Sequence, residues 1–427
     1  MKKISLSFLI LLAFAGTGYS QKKYAKILLE GATVHIGNGQ VIATGSIGIE
    51  NGIITLVRNS LAYTYNKADW DTVISLSGHH IYPGFVAPNS TLGLTEIDAV
   101  KASLDFRELG TYNPHVRSQI AFNCESNVIE TVRTNGILII QTTPRGGRIS
   151  GQSSLMASSC WNWEDGTMKA DDGIHINWPS AYTHSWEGGH SNTKPSESYE
   201  DQKRELLAFL TAAKTAAANK NPWTPLQYSA LSDCFTGEKR LYFHADQAQQ
   251  INDILDLVTE LEIKFPVIVG GYESYLVADR LKIKKVPVMV GRLHSLPQND
   301  DDSFDLPYKL PFLLQQAGVQ FCLQNEGDME AMNARNLPFL AGTAMAYGLT
   351  EEEAIRSITL SACEIMGISK NYGSIEIGKK ATLFGSNGSA LEMKGNQASV
   401  ILINGEFVPV SNFQTRLYEK YKQKYGK

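Results

Sequence analysis

No stretch of this 427-residue sequence is strongly basic, and 39 Lys and Arg stand against 43 Asp and Glu for a net charge of −4. Nucleic acid and anionic membrane surfaces therefore find no electrostatic footprint here. Cysteine is scarce: Cys124, Cys160, Cys234, Cys322 and Cys363 are scattered, odd in number and never in a CxxC pair. That usage argues against a disulfide framework and a thiolate zinc site, and leaves room for one bridge in an oxidising compartment. Beyond the first twenty residues no segment is long and apolar enough to cross a membrane.

Those first twenty residues read as a signal peptide. Lys2 and Lys3 form a positive n-region, and Leu6 to Ala15 an apolar h-region too short for ~30 Å of hydrocarbon. Gly18 and Ser20 are small residues at the cleavage positions, leaving Gln21 as the mature N-terminus. No Cys follows to carry a lipid. The expectation is an exported protein, periplasmic or secreted, without a stable membrane anchor.

The length suits one α/β barrel of ~250 residues with a small domain beside it. Residues 26–58 alternate β-type runs with turns, and Asn38-Gly39 and Asn51-Gly52 are hairpin signals. The far end repeats the texture in GSIEIGKKATLFG and ASVILINGEFV, with a further Asn404-Gly405. Two β-rich ends suggest one discontinuous β-sandwich from residues 23–84 and 367–410. Residues 85–366 are then inserted, and 411–427 form a tail.

The inserted part alternates strand-like runs such as NGILIIQTT, RLYFHA, PVIVGG and VPVMVG with helical ones. One helical run, TEEEAIRSITLSACEIMG, opens on a capping box of Thr350 and Glu353. Such alternation argues for a parallel sheet. Residues 160–200 depart from it. They hold Trp161, Trp163, Trp178 and Trp186 among His175, His184 and His190, and read as a long irregular excursion. It is either a lid or an aromatic plug over the barrel.

Three segments carry a resemblance. HHIYPGFVAPNSTLGL is similar to the amidohydrolase motif in which a Pro-Gly turn leads into the first barrel strand and a His-x-His pair. LPFLAGTAMAYGLTEEEAIRSITLSACEIMGISKNYGSIEIGKKATLFG resembles the end of that superfamily's barrel and its return to the small domain. RTNGILIIQTTPRGGRISGQ resembles a strand and glycine loop of the imidazolonepropionase-like branch. The resemblance implies a (β/α)8 TIM-like barrel with a discontinuous β-sandwich, and a hydrolase acting on non-peptide carbon–nitrogen bonds. It also implies zinc as the default cofactor, because a bound divalent ion lowers the pKa of its water from ~15.7 to ~7.

The same resemblance implies metal ligands at strand ends, and most are replaced. The His-x-His positions fall on Asn89 and Thr91, and the preceding Asp on Ala87. The fifth-strand His matches His244, the sixth falls near Gly270 or Gly271, and the eighth-strand Asp falls near Gln324 or Asn325, short of Asp328. No fourth-strand Lys stands out. Neutral amides are weak ligands, so no metal is expected and His244 is the single matching position, and the candidate catalytic residue. The loop histidines His175, His184 and His190 could rebuild a site or serve as a polar lid. His35, His79 and His80 read as structural.

Asn89, Thr91, Gln324 and Asn325 would still line a hydrogen-bonding pocket at the barrel mouth, since strand ends converge there. Arg145 and Arg148 of PRGGR are either a carboxylate clamp at the same face or a solvated loop. Three readings of function compete. One is a hydrolase with reduced metal-dependent activity. Another is a non-catalytic barrel that binds a small molecule or partners an active homologue. The third is a purely structural or scaffolding protein. A homodimer is the default assembly.

Overall fold

The computed structural model describes residues 24–62, 64–187, 190–219 and 223–426. The signal-peptide reading of residues 1–20 lies outside them. In chain order the strands are β1 (Lys26–His35), β2 (Val41–Glu50), β3 (Ile53–Asn59), β4 (Thr72–Ser75) and β5 (His80–Pro83), then β6 (Phe85–Ser90), β7 (Ile137–Thr142), β8 (Ile149–Ala157) and β9 (Thr167–Asn177). A hairpin of β10 (Tyr182–Glu187) and β11 (His190–Pro195) follows. Then come β12 (Arg240–Ala245), β13 (Pro266–Gly270), β14 (Val288–Val290) and β15 (Phe321–Leu323), and last β16 (Leu383–Ser386), β17 (Ala398–Ile403) and β18 (Glu406–Phe407).

Strands from both ends of the chain make one sheet. Its order is β18-β17-β16-β5-β1-β2-β3, with β4 pairing β1, and the junction of the two ends is the antiparallel pair β5–β16. The eight strands are hydrogen-bonded continuously around an apolar core that includes Ile27, Leu29, Ile47, Ile81, Leu383 and Leu402. Two Asn-Gly turns from opposite ends lock it. Asn51 and Asn404 take φ of 50° and 51°, and Gly52 and Gly405 take 81° and 80°. These are the positive dihedrals that a two-residue hairpin turn requires. The turns also meet backbone to backbone: a Cβ on Gly52 would lie 2.4 Å from the Asn404 carbonyl oxygen, and one on Gly405 2.3 Å from Gly52 Cα.

The inserted part is a second eight-stranded sheet, ordered β6-β7-β8-β9-β12-β13-β14-β15, a TIM-like barrel wall. From β9 to β15 the neighbours are parallel, with helices such as Ala248–Glu260, Ala278–Lys284 and Leu306–Ala317 between them. The sheet's two ends, β15 and β6, are joined by side chains, Asn89 Nδ2 donating to Gln324 Oε1 at 2.6 Å. A Cys124–Cys160 disulfide ties the approach to helix Asn127–Arg133 to the β8–β9 turn.

Two expectations are corrected. The alternation of strands and helices fails early in the barrel, where β7, β8 and β9 run antiparallel. The PRGGR loop reverses the chain with Gly146 and Gly147 at positive φ, so no crossover helix intervenes. Residues 160–200 are also not one irregular excursion. Residues 167–177 are the eleven-residue barrel strand β9, and only the β10–β11 hairpin projects beyond its C-terminal end. His175 is therefore in the barrel wall. His184 and His190 lie on the hairpin, and their side chains are outside the described residues.

Candidate functional site

The barrel's C-terminal end is organised around Asn89, buried and held at φ 47°, a left-handed conformation that Asn tolerates better than most residues. Its amide donates to Gln324 Oε1 at 2.6 Å and to Glu326 Oε2 at 3.0 Å, and its backbone N–H donates to Gln141 Oε1 at 2.8 Å. Arg145 Nη1 donates to Asn89 Oδ1 at 2.8 Å, and Arg145 Nη2 donates to the Asn89 carbonyl at 2.7 Å and to Glu330 Oε2 at 2.8 Å. Glu330 Oε1 accepts the Thr91 backbone N–H at 2.6 Å. The guanidinium thus sits among the replaced ligand positions, neutralised by Glu330 and fixed as a fork.

A second buried network runs through the wall from β7 to β12. Asp172 accepts from Ser153 Oγ at 2.7 Å, Gln141 Nε2 at 3.0 Å and Tyr242 Oη at 2.5 Å. Ser153 Oγ lies 2.9 Å from His175 Nε2, and His175 Nδ1 lies 2.9 Å from His244 Nε2. Both imidazoles are neutral at ordinary pH. Burial, then His244, then Arg145 hold His175 well below the usual histidine range, and burial with Arg145 pulls His244 down to about 3.

His244 opens onto a cavity of 460 Å³ at this end of the barrel. Asp246, Gln247, Trp178 and Glu326 share its lining. Burial, then Asp246, pushes the Glu326 carboxyl up to about 7 against the pull of Arg145. Burial also raises Asp246, against a backbone N–H from Tyr272. Opposed or raised carboxyls in a cleft are a common mark of a working site.

The expected residues are placed as follows. Asn89 and Gln324 meet directly, and Thr91 joins them through Glu330. Arg145 is no free clamp for a ligand carboxylate, because its donors serve Asn89 and Glu330. Arg148 is not one either: it donates to the Asn177 carbonyl and to Gln202 Oε1, bracing the end of β9. Asn325 is buried, with its amide nitrogen 3.5 Å from the Glu330 carbonyl. Of the residues proposed from sequence, His244 lines the cavity, and the others stand behind it as support. Glu326, Asp246, Glu330, Asp172 and Ser153 were missed. The one legible hint was the acidic NEGDMEA segment after β15. His35 and His80 are structural: they bond each other at 2.9 Å, and His35 also holds Glu352 at 2.6 Å.

These residues do not fit the divalent ion that the fold family implies. Asn89 and Gln324 bond each other, the two imidazoles share a hydrogen, the end of β13 offers Gly270, and a guanidinium already supplies positive charge there. Among the described residues no three His, Cys, Asp or Glu gather as a ligand set.

Residues 314–407 match the amidohydrolase family. The fold is similar to that of an amidohydrolase from Thermotoga maritima MSB8, with a TM-score of 0.78 and 24% identity over 90% of this chain and 99% of that one. It is also similar to a Xaa-Pro dipeptidase with bound methionine in the active site (TM-score 0.56, 15% identity, 90% and 100% covered). A third likeness is to an adenosine deaminase from Xanthomonas campestris with bound zinc (TM-score 0.54, 14% identity, 93% and 97% covered). No curated protein matches the sequence. Barrel and two-ended small domain are thus the fold of these structures, and the C-terminal 314–407 segment is the part of the chain that the amidohydrolase family model matches.

Proposed function

We propose that this chain is an exported amidohydrolase-superfamily protein in which metal-dependent hydrolysis of non-peptide carbon–nitrogen bonds is lost or strongly reduced, and the barrel-mouth cavity is kept for binding a small molecule. The observation that carries the reading is the Arg145 guanidinium, hydrogen-bonded to Asn89 and Glu330 where the family places a cation's ligands. A divalent ion beside that fixed charge would meet repulsion and neutral amides, and even changes behind a metal's own ligands cost 10–100-fold in affinity. His244 alone as a general base would contribute ~10²–10⁴-fold. Export is supported by the leader-like first twenty residues and by the Cys124–Cys160 bridge, which suits an oxidising compartment.

The test is elemental analysis of protein reconstituted with zinc, alongside hydrolysis assays on N-acyl and cyclic-amide substrates. The expected result is well under one zinc per chain and negligible turnover. About one zinc per chain, lost together with activity in His244→Ala, would overturn the reading.

A further inference from the structure

The direction of each hydrogen bond in the β7–β12 network follows from its far end. Asp172 is a carboxylate with three donors on it, so it only accepts. Ser153 gives it its single hydrogen and therefore accepts from His175 Nε2–H. With its hydrogen on Nε2, His175 presents Nδ1 as an acceptor, and His244 Nε2–H fills it. His244 Nδ1 is left as a bare lone pair with no hydrogen-bond partner among the described residues, on a side chain that lines the cavity.

The neighbouring cavity groups have the same polarity. Asp246 Oδ1 and Glu326 Oε1 lie over Gly270 and Gly291, where an added Cβ would come within 2.5 and 3.4 Å of them. Gln247 caps helix Ala248–Glu260, its backbone N–H donating to Gln250 Oε1 at 3.0 Å, while its own Oε1 is buried without a well-formed hydrogen bond. Of the cations near it among the described residues, Arg145 is engaged by Glu330 and Asn89, and Arg292, which lines an adjoining pocket with Asp246 and Glu326, donates to the Asp328 carbonyl at 3.2 Å. Trp178 is also at its edge, its indole N–H fixed on the Tyr199 hydroxyl at 3.1 Å and its ring packed edge-on against Phe243. A ligand entering here meets the free acceptors of His244 and Gln247 and two adjacent carboxyls. It must bring donors and positive charge.

We propose that the cavity binds a small primary ammonium compound, with Asp246 and Glu326 matching its charge and His244 Nδ1 and Gln247 Oε1 accepting its N–H hydrogens. The inference rests on the reading of a cavity that works without a divalent ion. Ser153 and His175 act as positioning residues, since they set which nitrogen His244 turns to the ligand.

The test is calorimetric titration of the full mature chain with n-butylammonium, 1-butanol and butyrate. Saturable binding of the amine alone is expected. Asp246→Asn and Glu326→Gln should each weaken it about tenfold or more while the circular dichroism spectrum and melting stay cooperative. Ser153→Ala should weaken it less and change the imidazole ¹⁵N signature of His244, which a purely structural serine would leave alone. Equal binding of butanol or butyrate, unchanged affinity in both carboxylate variants, or no amine binding by zinc-free folded protein would each overturn the inference. Stoichiometric zinc, measured separately, would instead overturn the reading beneath it.

Discussion

Glu326 shows how a single side chain can work against the fold that holds it. Its carboxyl sits at about 7, raised from 4.5 first by burial, then by Asp246, with Glu330 adding to the rise and Arg145 and Asn89 opposing it. Between those two values the folded protein keeps a proton that the unfolded chain has released. Stability therefore falls as pH climbs from about 4.5 to 7 and levels off above. Glu326→Gln should remove that loss. The variant is expected to be more stable than the parent by roughly 1–3 kcal/mol at pH 8, after discounting for contact with the cavity, and equal to it near pH 4. Urea unfolding at the two pH values checks this, and a variant less stable at pH 8 would count against it. The sequence marks Glu326 only by its acidic neighbourhood. It follows Gln324 and Asn325 in an acidic run, and only the closure of β15 against β6 turns it towards His244 and Asp246.

Among the elements, the paired Asn-Gly turns are the most constrained contact between the two ends of the chain. Gly405→Ala would bring a methyl carbon to 2.3 Å from Gly52 Cα and would also force alanine to a φ near 80°. A loss of roughly 2–4 kcal/mol is expected, felt in the whole small domain, because both turns must give way together. Thermal melting of Gly405→Ala beside Gly39→Ala, at a positive-φ turn with open space around it, separates the steric part from the dihedral part. Equal losses in the two would show that the packing of turn on turn contributes nothing. These turns were readable from the sequence as hairpin signals, since the dipeptide states its own dihedrals. Strand β9 was not readable. Buried barrel strands are recognised by unbroken apolar runs, and TMKADDGIHIN carries Asp172 and His175 inward to a polar network instead. The polar residues that give the wall its chemistry also hid it.

For the molecule as a whole, the fold class was legible because it depends on patterning: β-type texture at both ends, alternation between them, and a C-terminal segment shared with a known superfamily. The unusual residues at Asn89, Thr91, Gly270 and Gln324 were legible too. What they assemble with was not. Arg145 lies in a loop over fifty residues from Asn89, and Glu330 lies far beyond both, so their meeting is a property of the closed barrel alone. The same separation governs how the chain can assemble. Pro83 of β5 pairs with Leu383 of β16, across a gap of 383 − 83 = 300 residues. Closing a loop of that length costs about 5 kcal/mol in chain entropy. Until the barrel has folded and carried its far end home, β5 presents an unpaired edge, the kind of surface on which chains stick to one another. During synthesis β5 pairs early with β1 but must wait for its second neighbour until β16 has been made. A chain cut after residue 366 should accumulate as aggregate even though its barrel sequence is intact, and soluble, monomeric folded protein from that truncation would show that the early strands keep themselves covered.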